Sequence, residues 1–346
     1  MKKAILIGVI SLNLCNLCSS QDIHFSQFDR TPLIINPALT GMFNGQHRVL
    51  INYKDQWKSF GAPYKTYALS YDFGLFKKKW KKSYLGAGFY VYNDKAGDAG
   101  LSTIQLNLSL SGIVPLNKNH RISGGLQGGF AQRSVDYSEV KTDNQFVNGE
   151  YDSAMPVGEA NDFNKTAFGD FTAGVSWNFL KNETNITTND KINANVGIAV
   201  FHVNKPKQEF YSLVNEKLYS KLVIHGSTYF GLKNTNIALL PSILVLSQGP
   251  SKEINFGTMI RYRLTEASKY TGFLKESAIY LGCYYRAGDA IIPALMYELS
   301  NFALGISYDI NTSGLKTATS GMGGIEISFR YINPNPFKRY ESQTLY

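Results

Sequence analysis

Fourteen stretches of this chain set large apolar residues one-for-one against small or polar ones. Ile104, Leu106, Leu108 and Leu110 face away from Thr103, Gln105, Asn107, Ser109 and Ser111. Phe302, Leu304, Ile306, Tyr308 and Ile310 oppose Ala303, Gly305, Ser307 and Asp309. Ile325, Ile327, Phe329 and Tyr331 oppose Gly324, Glu326, Ser328 and Arg330. A period of two puts successive side chains on opposite faces of a strand, so these stretches are two-faced strands and not helices.

The segments are 48–57, 64–73, 84–92, 101–114, 120–133, 168–180, 191–203, 221–231, 236–246, 253–263, 277–286, 290–299, 301–311 and 322–331. Strands of globular domains run to about 5–6 residues, whereas a tilted bilayer crossing needs about 9–11. Even count, length and alternation predict an all-β fold, a transmembrane antiparallel β-barrel with an N-terminal plug or periplasmic ribbon. A soluble sandwich would bury the same apolar faces against a second sheet, but strands of this length in an even number disfavour it. No uninterrupted apolar run of about 18 residues follows residue 20, which excludes helical spans.

Residues 1–20 read as an export signal: Lys2 and Lys3, an apolar run from Ala4 to Leu17, and small residues Cys18 and Ser20 before Gln21. A lipoprotein reading competes through Cys15 and Cys18, yet each follows a Leu where lipid attachment wants a small residue. The expected division is therefore signal 1–20, N-terminal periplasmic or plug segment 21–46, barrel 47–331 and C-terminal periplasmic tail 332–346. Past the signal a single cysteine remains, Cys283, in an apolar stretch that predicts a buried, inert thiol. The net charge of +9 includes Lys2 and Lys3. For an exported chain it favours anionic lipids, lipopolysaccharide or acidic partners, and no nucleic acid.

Loop lengths test the topology. With the N-terminus periplasmic, the longest connections, 134–167 and 204–220, fall outside, and the tight turns 115–119, 232–235 and Ser300 fall inside. The long 264–276 and the short 287–289 go against that rule. The apolar faces should meet lipid, and Gln105, Asn107, His225, Arg261, Glu326 and Arg330 should face the lumen. Tyr53, Tyr84, Tyr92, Tyr262, Tyr285 and Tyr331 stand near strand ends, as an interfacial girdle would.

Catalytic signals are sparse. His24, His47, His120, His202 and His225 are scattered, with no zinc spacing, nucleophile elbow or phosphate loop, so no cofactor, metal or catalytic residue is expected. The run Lys77-Lys78-Lys79-Trp80-Lys81-Lys82 reads as a solvated turn anchored by Trp80, or as a periplasmic contact through Lys77, Lys78, Trp80 and Lys81. Pro206 and Phe210 mark a loop that could serve as an external docking edge. The Gly321–Gly324 run lets the last strand bend or approach a neighbour closely.

The stretch QDIHFSQFDRTPLIINPALTG, Gln21–Gly41, follows neither period. Apolar termini are seldom left loose, and Phe25, Phe28, Ile34, Asn36 and Pro37 are the candidates for plugging the lumen or docking a partner. His24–Phe28 with Asn36–Gly41 resembles the opening of PorP/SprF-family proteins. Similar stretches are Tyr53–Trp57, Phe201–Pro206, Leu281–Arg286 and Ser307–Ser313, so the likeness covers nearly the whole chain past the signal. One departure stands at Gly324-Ile325-Glu326, where the family often carries a His-Glu pair and only Glu326 is kept.

The resemblance implies an outer-membrane component of type IX secretion and gliding motility. It implies a non-enzymatic barrel that helps to secrete, bind or anchor an adhesin carrying a type IX secretion C-terminal domain. It also implies the secretion or gliding machinery and a periplasmic peptidoglycan-associated protein as partners. The alternatives are a passive porin-like channel or solute transporter, and an outer-membrane hydrolase.

Overall fold

A computed structural model describes residues 22–56, 63–77, 83–97, 100–135, 143–147, 150–152, 154–155, 165–182, 189–208, 217–266, 276–314 and 316–333. The signal, Lys78, Trp80, Lys81, Phe210 and the tail from residue 334 lie outside these. The wall strands are β1 (His47–Gln56), β2 (Tyr64–Leu75), β3 (Tyr84–Ala96), β4 (Leu101–Pro115), β5 (His120–Ser134), β6 (Thr166–Lys181) and β7 (Ile192–Phe201). They continue as β8 (Lys221–Gly231), β9 (Ile237–Gln248), β10 (Ser251–Thr265), β11 (Ser277–Arg286), β12 (Ala290–Leu299), β13 (Phe302–Asn311) and β14 (Met322–Asn333).

Every predicted segment is a strand. The largest shift is in β3, which runs on to Ala96, and β14 takes Ile332 and Asn333 from the expected tail. Each strand pairs antiparallel with its sequence neighbours, and β14 closes on β1 from His47↔Asn333 to Gln56↔Gly324. Both described ends of the wall thus lie at one end of the ring, here the near end. β5 ends and β6 begins at the far end, where Arg133 pairs with Thr166, and within their connection Phe146–Val147 pairs with Glu150–Tyr151.

The faces are inverted relative to a soluble protein. Leu108 and Leu110 are each 64% exposed, whereas Asn107, Ser109 and Ser111 are buried. An apolar exterior around a polar interior is stable only in lipid, which separates the barrel from a sandwich. At Gly323, which Asp309 and Asn311 approach too closely for a Cβ, the register of β14 against β13 shifts.

Three expectations are corrected. Cys283 is exposed on the outward face beside Leu281, so lipid and not protein covers its thiol. Tyr92 is buried and donates to Gln105 at 2.7 Å, and the Tyr84 ring lies 5.0 Å from the Lys77 ammonium. Both share the inward parity of Tyr90 and leave the girdle to Tyr53, Tyr262, Tyr285 and Tyr331. Inside, the wall from β7 to β13 carries an apolar cluster, with Val223, Leu240, Leu244, Met259, Ile292 and Met296 among its members, beside buried polar residues such as His225, Arg261 and Glu298. The inward faces of β9 and β12 add Ser242, Gln248 and Glu298 to their apolar residues, and each strand carries an outward proline, Pro241 and Pro293.

Residues 22–46 lie within the ring, against its inward faces. Short helical turns at Phe28–Arg30, Pro32–Ile35 and Pro37–Leu39 carry the segment. Pro32 and Pro37 open two of them, where a missing N–H costs nothing, and Asn36 caps the last by accepting from Ala38 N at 2.9 Å. Asp22 lies beside Lys221 and Gln248 at the far ends of β8 and β9. Gln46 N donates to Asn333 O at the near end. The segment thus makes contacts from the far ends of β8 and β9 to the near end of the wall.

Candidate functional site

The lumenal segment and the side chains that grip it form the site. At the far end the carboxylate of Asp22 accepts from Lys221 Nζ at 2.7 Å and lies 2.6 Å from His202 Nε2. His202 Nδ1 lies 2.9 Å from Asp170, so both ring nitrogens face carboxylates. Burial pushes Asp22 up, but Lys221 and His202 outweigh it and hold the carboxyl well below its ordinary range. Burial pulls His202 down, but the Asp22 charge and the two carboxylate hydrogen bonds raise it overall. His202 follows β7 with φ +55°, a left-handed backbone that costs a non-glycine residue on the order of 1–3 kcal/mol. The turn aims the ring at the lumen.

One turn further in, the backbone N–H groups of Ser26 and Gln27 donate to the two oxygens of Glu326, at 2.7 and 3.0 Å. Ser26 Oγ donates to Asp309 at 2.7 Å and receives Arg286 at 2.6 Å. Lys54 Nζ donates to His24 O at 3.0 Å. Gln27 reaches Ser307 and the Glu326 carbonyl, and Ser328 donates back to it. Each charge meets an opposite charge or a backbone dipole, as burial requires. Phe28 packs edge-on to Tyr284, centroids 5.6 Å apart, and Asp29 accepts from Ser242 and Tyr284, both at 3.0 Å.

The Asn36–Gly41 stretch rests on small wall residues. A Cβ on Gly125 would overlap the Pro37 backbone, one on Gly174 the Asn36 side chain, and one on Gly86 the Thr40 carbonyl. Asn36 Nδ2 donates to Val175 O at 3.0 Å and Ile198 O at 3.3 Å, and lies 3.0 Å from His225 Nε2. Ser123 and Ser111 donate to Ala38 O and Thr40 O. Gly41 N donates to Asp72, which also holds Arg48 at 2.7 Å.

The residues singled out in the sequence take distinct places. Phe25 and Ile34 pack with Leu33, Ala68, Tyr90 and Tyr92, while Phe28 joins the apolar cluster on β7–β13. Pro37 and Asn36 are buried. Glu326 and His225 touch the segment directly. Gln105 and Asn107 are bonded to each other at 3.2 Å, and Gln105 also donates to Asp170. Arg261 and Arg330 converge on Glu298, at 3.5 and 2.6 Å, apart from the far-end anchor. Lys77 Nζ donates to Gly45 O at 2.9 Å and lies 4.7 Å from the Phe43 ring, so it ties down the near end of the segment. Pro206 is buried in the far-end loop and accepts from Leu218 N at 2.9 Å.

Sequence reasoning did not find Asp22, His202, Asp170, Lys221, Asp309 or Arg286. The inward parity of Asp170, Lys221, Asp309 and Arg286 was a signal for the wall members, but nothing paired them with the segment. Among the described residues no cluster of three or more His, Cys, Asp and Glu could hold a metal ion.

A family profile described as "Type IX secretion system membrane protein PorP/SprF" matches residues 17–331. No curated protein sequence matches the chain. Among solved structures, the toluene transporter TbuX of Ralstonia pickettii aligns at TM-score 0.48 and 10% identity, over 88% of this chain and 94% of that one. A deltaS2 mutant of the monoaromatic hydrocarbon channel TodX gives 0.46 and 9%, over 88% and 94%. The monoaromatic hydrocarbon channel CymD gives 0.42 and 9%, over 88% and 93%.

Proposed function

The chain belongs to the PorP/SprF family of type IX secretion system membrane proteins, and on that footing we propose that it helps to secrete, bind or anchor a cell-surface adhesin without catalysing a reaction. The barrel resides in the outer membrane. Its near end, with both described ends of the wall, is read as periplasmic and its long β5–β6 connection as exposed at the surface.

The observation that carries the reading is the seating of residues 22–46 from Asp22 at one end to Gln46 at the other. A lumen filled by a bonded segment suits a docking body better than an open conduit, and residues 22–46 then act as its plug. The adhesin, bearing a type IX C-terminal secretion domain, would engage the far-end loops. The near end, with Lys77, would face the secretion or gliding machinery and a peptidoglycan-associated protein.

The test is capture from native outer membrane together with planar-bilayer recording. The tagged barrel is expected to enrich an adhesin or machinery protein and to pass no steady current. A steady open current without such enrichment would favour the porin-like channel.

A further inference from the structure

Between the lumenal segment and the near half of the wall lies a cavity of about 80 Å³. Its wall side carries a row of direct cross-strand partners, Asn178 on β6, Asn195 on β7 and Ser227 on β8. His225 stands at the next inward position of β8 toward the far end. The segment side is mostly apolar, with Phe28, Ile35, Leu39, Met42 and Phe43.

The polar row lacks partners. Asn178 Nδ2 donates to Asn193 Oδ1 at 2.8 Å and to the carbonyl of Ala194 at 3.2 Å, which fixes the amide and leaves its Oδ1 over. Asn195 Nδ2 donates to Ser176 Oγ at 2.9 Å, whose own hydroxyl donates to Val196 O, so this amide is fixed as well. Asn36 donates to His225 Nε2, which puts the ring proton on Nδ1. Among the described residues, neither asparagine Oδ1, the Ser227 hydroxyl nor His225 Nδ1 has a hydrogen-bond partner. Asn178, Asn195 and His225 are only 6%, 8% and 5% exposed. Buried polar groups are normally bonded, and four adjoining ones on one cavity point to a ligand.

The lining selects the ligand. Its charges are already matched: Arg48 by Asp72, Arg330 by Glu298, and Asp29 by Arg30 and the hydroxyls of Ser242 and Tyr284. A neutral molecule therefore fits best. Two adjoining carbonyl oxygens call for N–H donors and would repel a carboxylate, while Ser227 and His225 call for an acceptor. A primary carboxamide carries both in one plane, two N–H groups on its nitrogen and a carbonyl oxygen beside it. The cavity is about half the roughly 150 Å³ one that takes benzene, and its apolar side suits the carbon next to the amide.

We propose that this cavity binds a primary carboxamide, its nitrogen between Asn178 and Asn195 and its oxygen on Ser227 and His225. The same chemistry comes from a small free amide or from the Asn or Gln side chain of an entering peptide. The seat is independent of the adhesin reading and would hold for a channel as well.

Ligand-observed NMR on the full barrel in lipid nanodiscs tests it with three probes of equal size, acetamide, acetate and ethylene glycol. Acetamide is expected to saturate in the millimolar range, and the other two to bind about tenfold more weakly or less. Ser227→Leu fills the cavity without removing a side-chain hydrogen bond, so it should weaken acetamide about tenfold, with an unchanged heat-modifiable gel shift as the check on folding. A further measurement needs no variant: acetamide should move the nitrogen-15 resonance of His225 Nδ1 in the wild type. Competition by an end-blocked glutamine tripeptide would support the seat with a peptide side chain as the source, and acetamide binding without such competition would support it with a free amide. Acetamide binding no tighter than acetate or ethylene glycol, undiminished in Ser227→Leu, or without effect on the His225 resonance would each overturn it and leave a cavity for water.

Discussion

Asn36 and His225 meet in the middle of the lumen, amide nitrogen to Nε2 at 3.0 Å. The amide can only donate, so the imidazole accepts through Nε2 and carries its proton on Nδ1. The same amide serves the carbonyls of Val175 and Ile198, while its oxygen caps the turn at Ala38. One side chain thus joins the segment to three adjacent strands.

Asn36→Ala should therefore cost more than an ordinary contact. It strands a buried imidazole nitrogen and removes a cap, and about 1–3 kcal/mol is expected for such an orphaned polar group. Equilibrium unfolding by urea in lipid vesicles measures it. A loss within about 0.5 kcal/mol, the usual surface-substitution range, would show that the segment is not part of the cooperative unit.

Glu326→Gln should loosen residues 22–30 without opening the wall. The carboxylate takes two backbone N–H groups, and hydrogen bonds to a charged group are worth about 1.5–3 kcal/mol each. Limited proteolysis is the readout. Faster cleavage before Phe28 with the barrel band intact is expected, and equal protection in both proteins would contradict it.

Deleting 22–41 should lower the heat resistance of the folded band and raise conductance. Burial of Phe25 and Phe28 contributes roughly 1.5–3 kcal/mol each. Gly125→Leu is the milder form, because its side chain would take the place of the Pro37 backbone. If neither change moves the melting of the band or the current, the segment does not close the lumen.

The far-end anchor gives a pH signature. His202 is raised from 6.5, so its contribution is complete below that value and is lost as pH rises through the raised one. Asp22 is lowered from 3.8, so its contribution is present above that value and is lost as pH falls through the lowered one. The two overlap at mildly acid pH. The stability difference between wild type and His202→Gln should be largest there and shrink toward alkaline pH. A difference flat from pH 5 to 9 would rule out the charged pair.

The wall was legible because alternation at period two needs only neighbouring residues. It identified which face Gln105 and Glu326 take, and it located all fourteen strands. It could not give depth. Asp22 and His202 are 180 positions apart, and no local pattern brings them to one end of the lumen. The Asn36–Gly41 stretch was noticed for lacking a period, but its seat is a set of glycines on β3, β5 and β6, which in the sequence look like any small residue on an inward face. Tyr92 and Cys283 were misread for a related reason. Residue type suggested their surroundings, whereas parity within the strand decided them.

The closure of β14 on β1 has a consequence for assembly. Ser26 is 300 positions from its partner Glu326, which reaches the ring only with the final strand. The grip on the first residues of the segment is therefore among the last contacts to become available, made by the strand that also seals the seam. A chain that zipped shut with the segment outside would enclose Glu326, Asp309 and Arg286 without their backbone and hydroxyl partners. The final strand thus serves two contacts at once, the backbone of the segment through Glu326 and the seam through its pairing with β1.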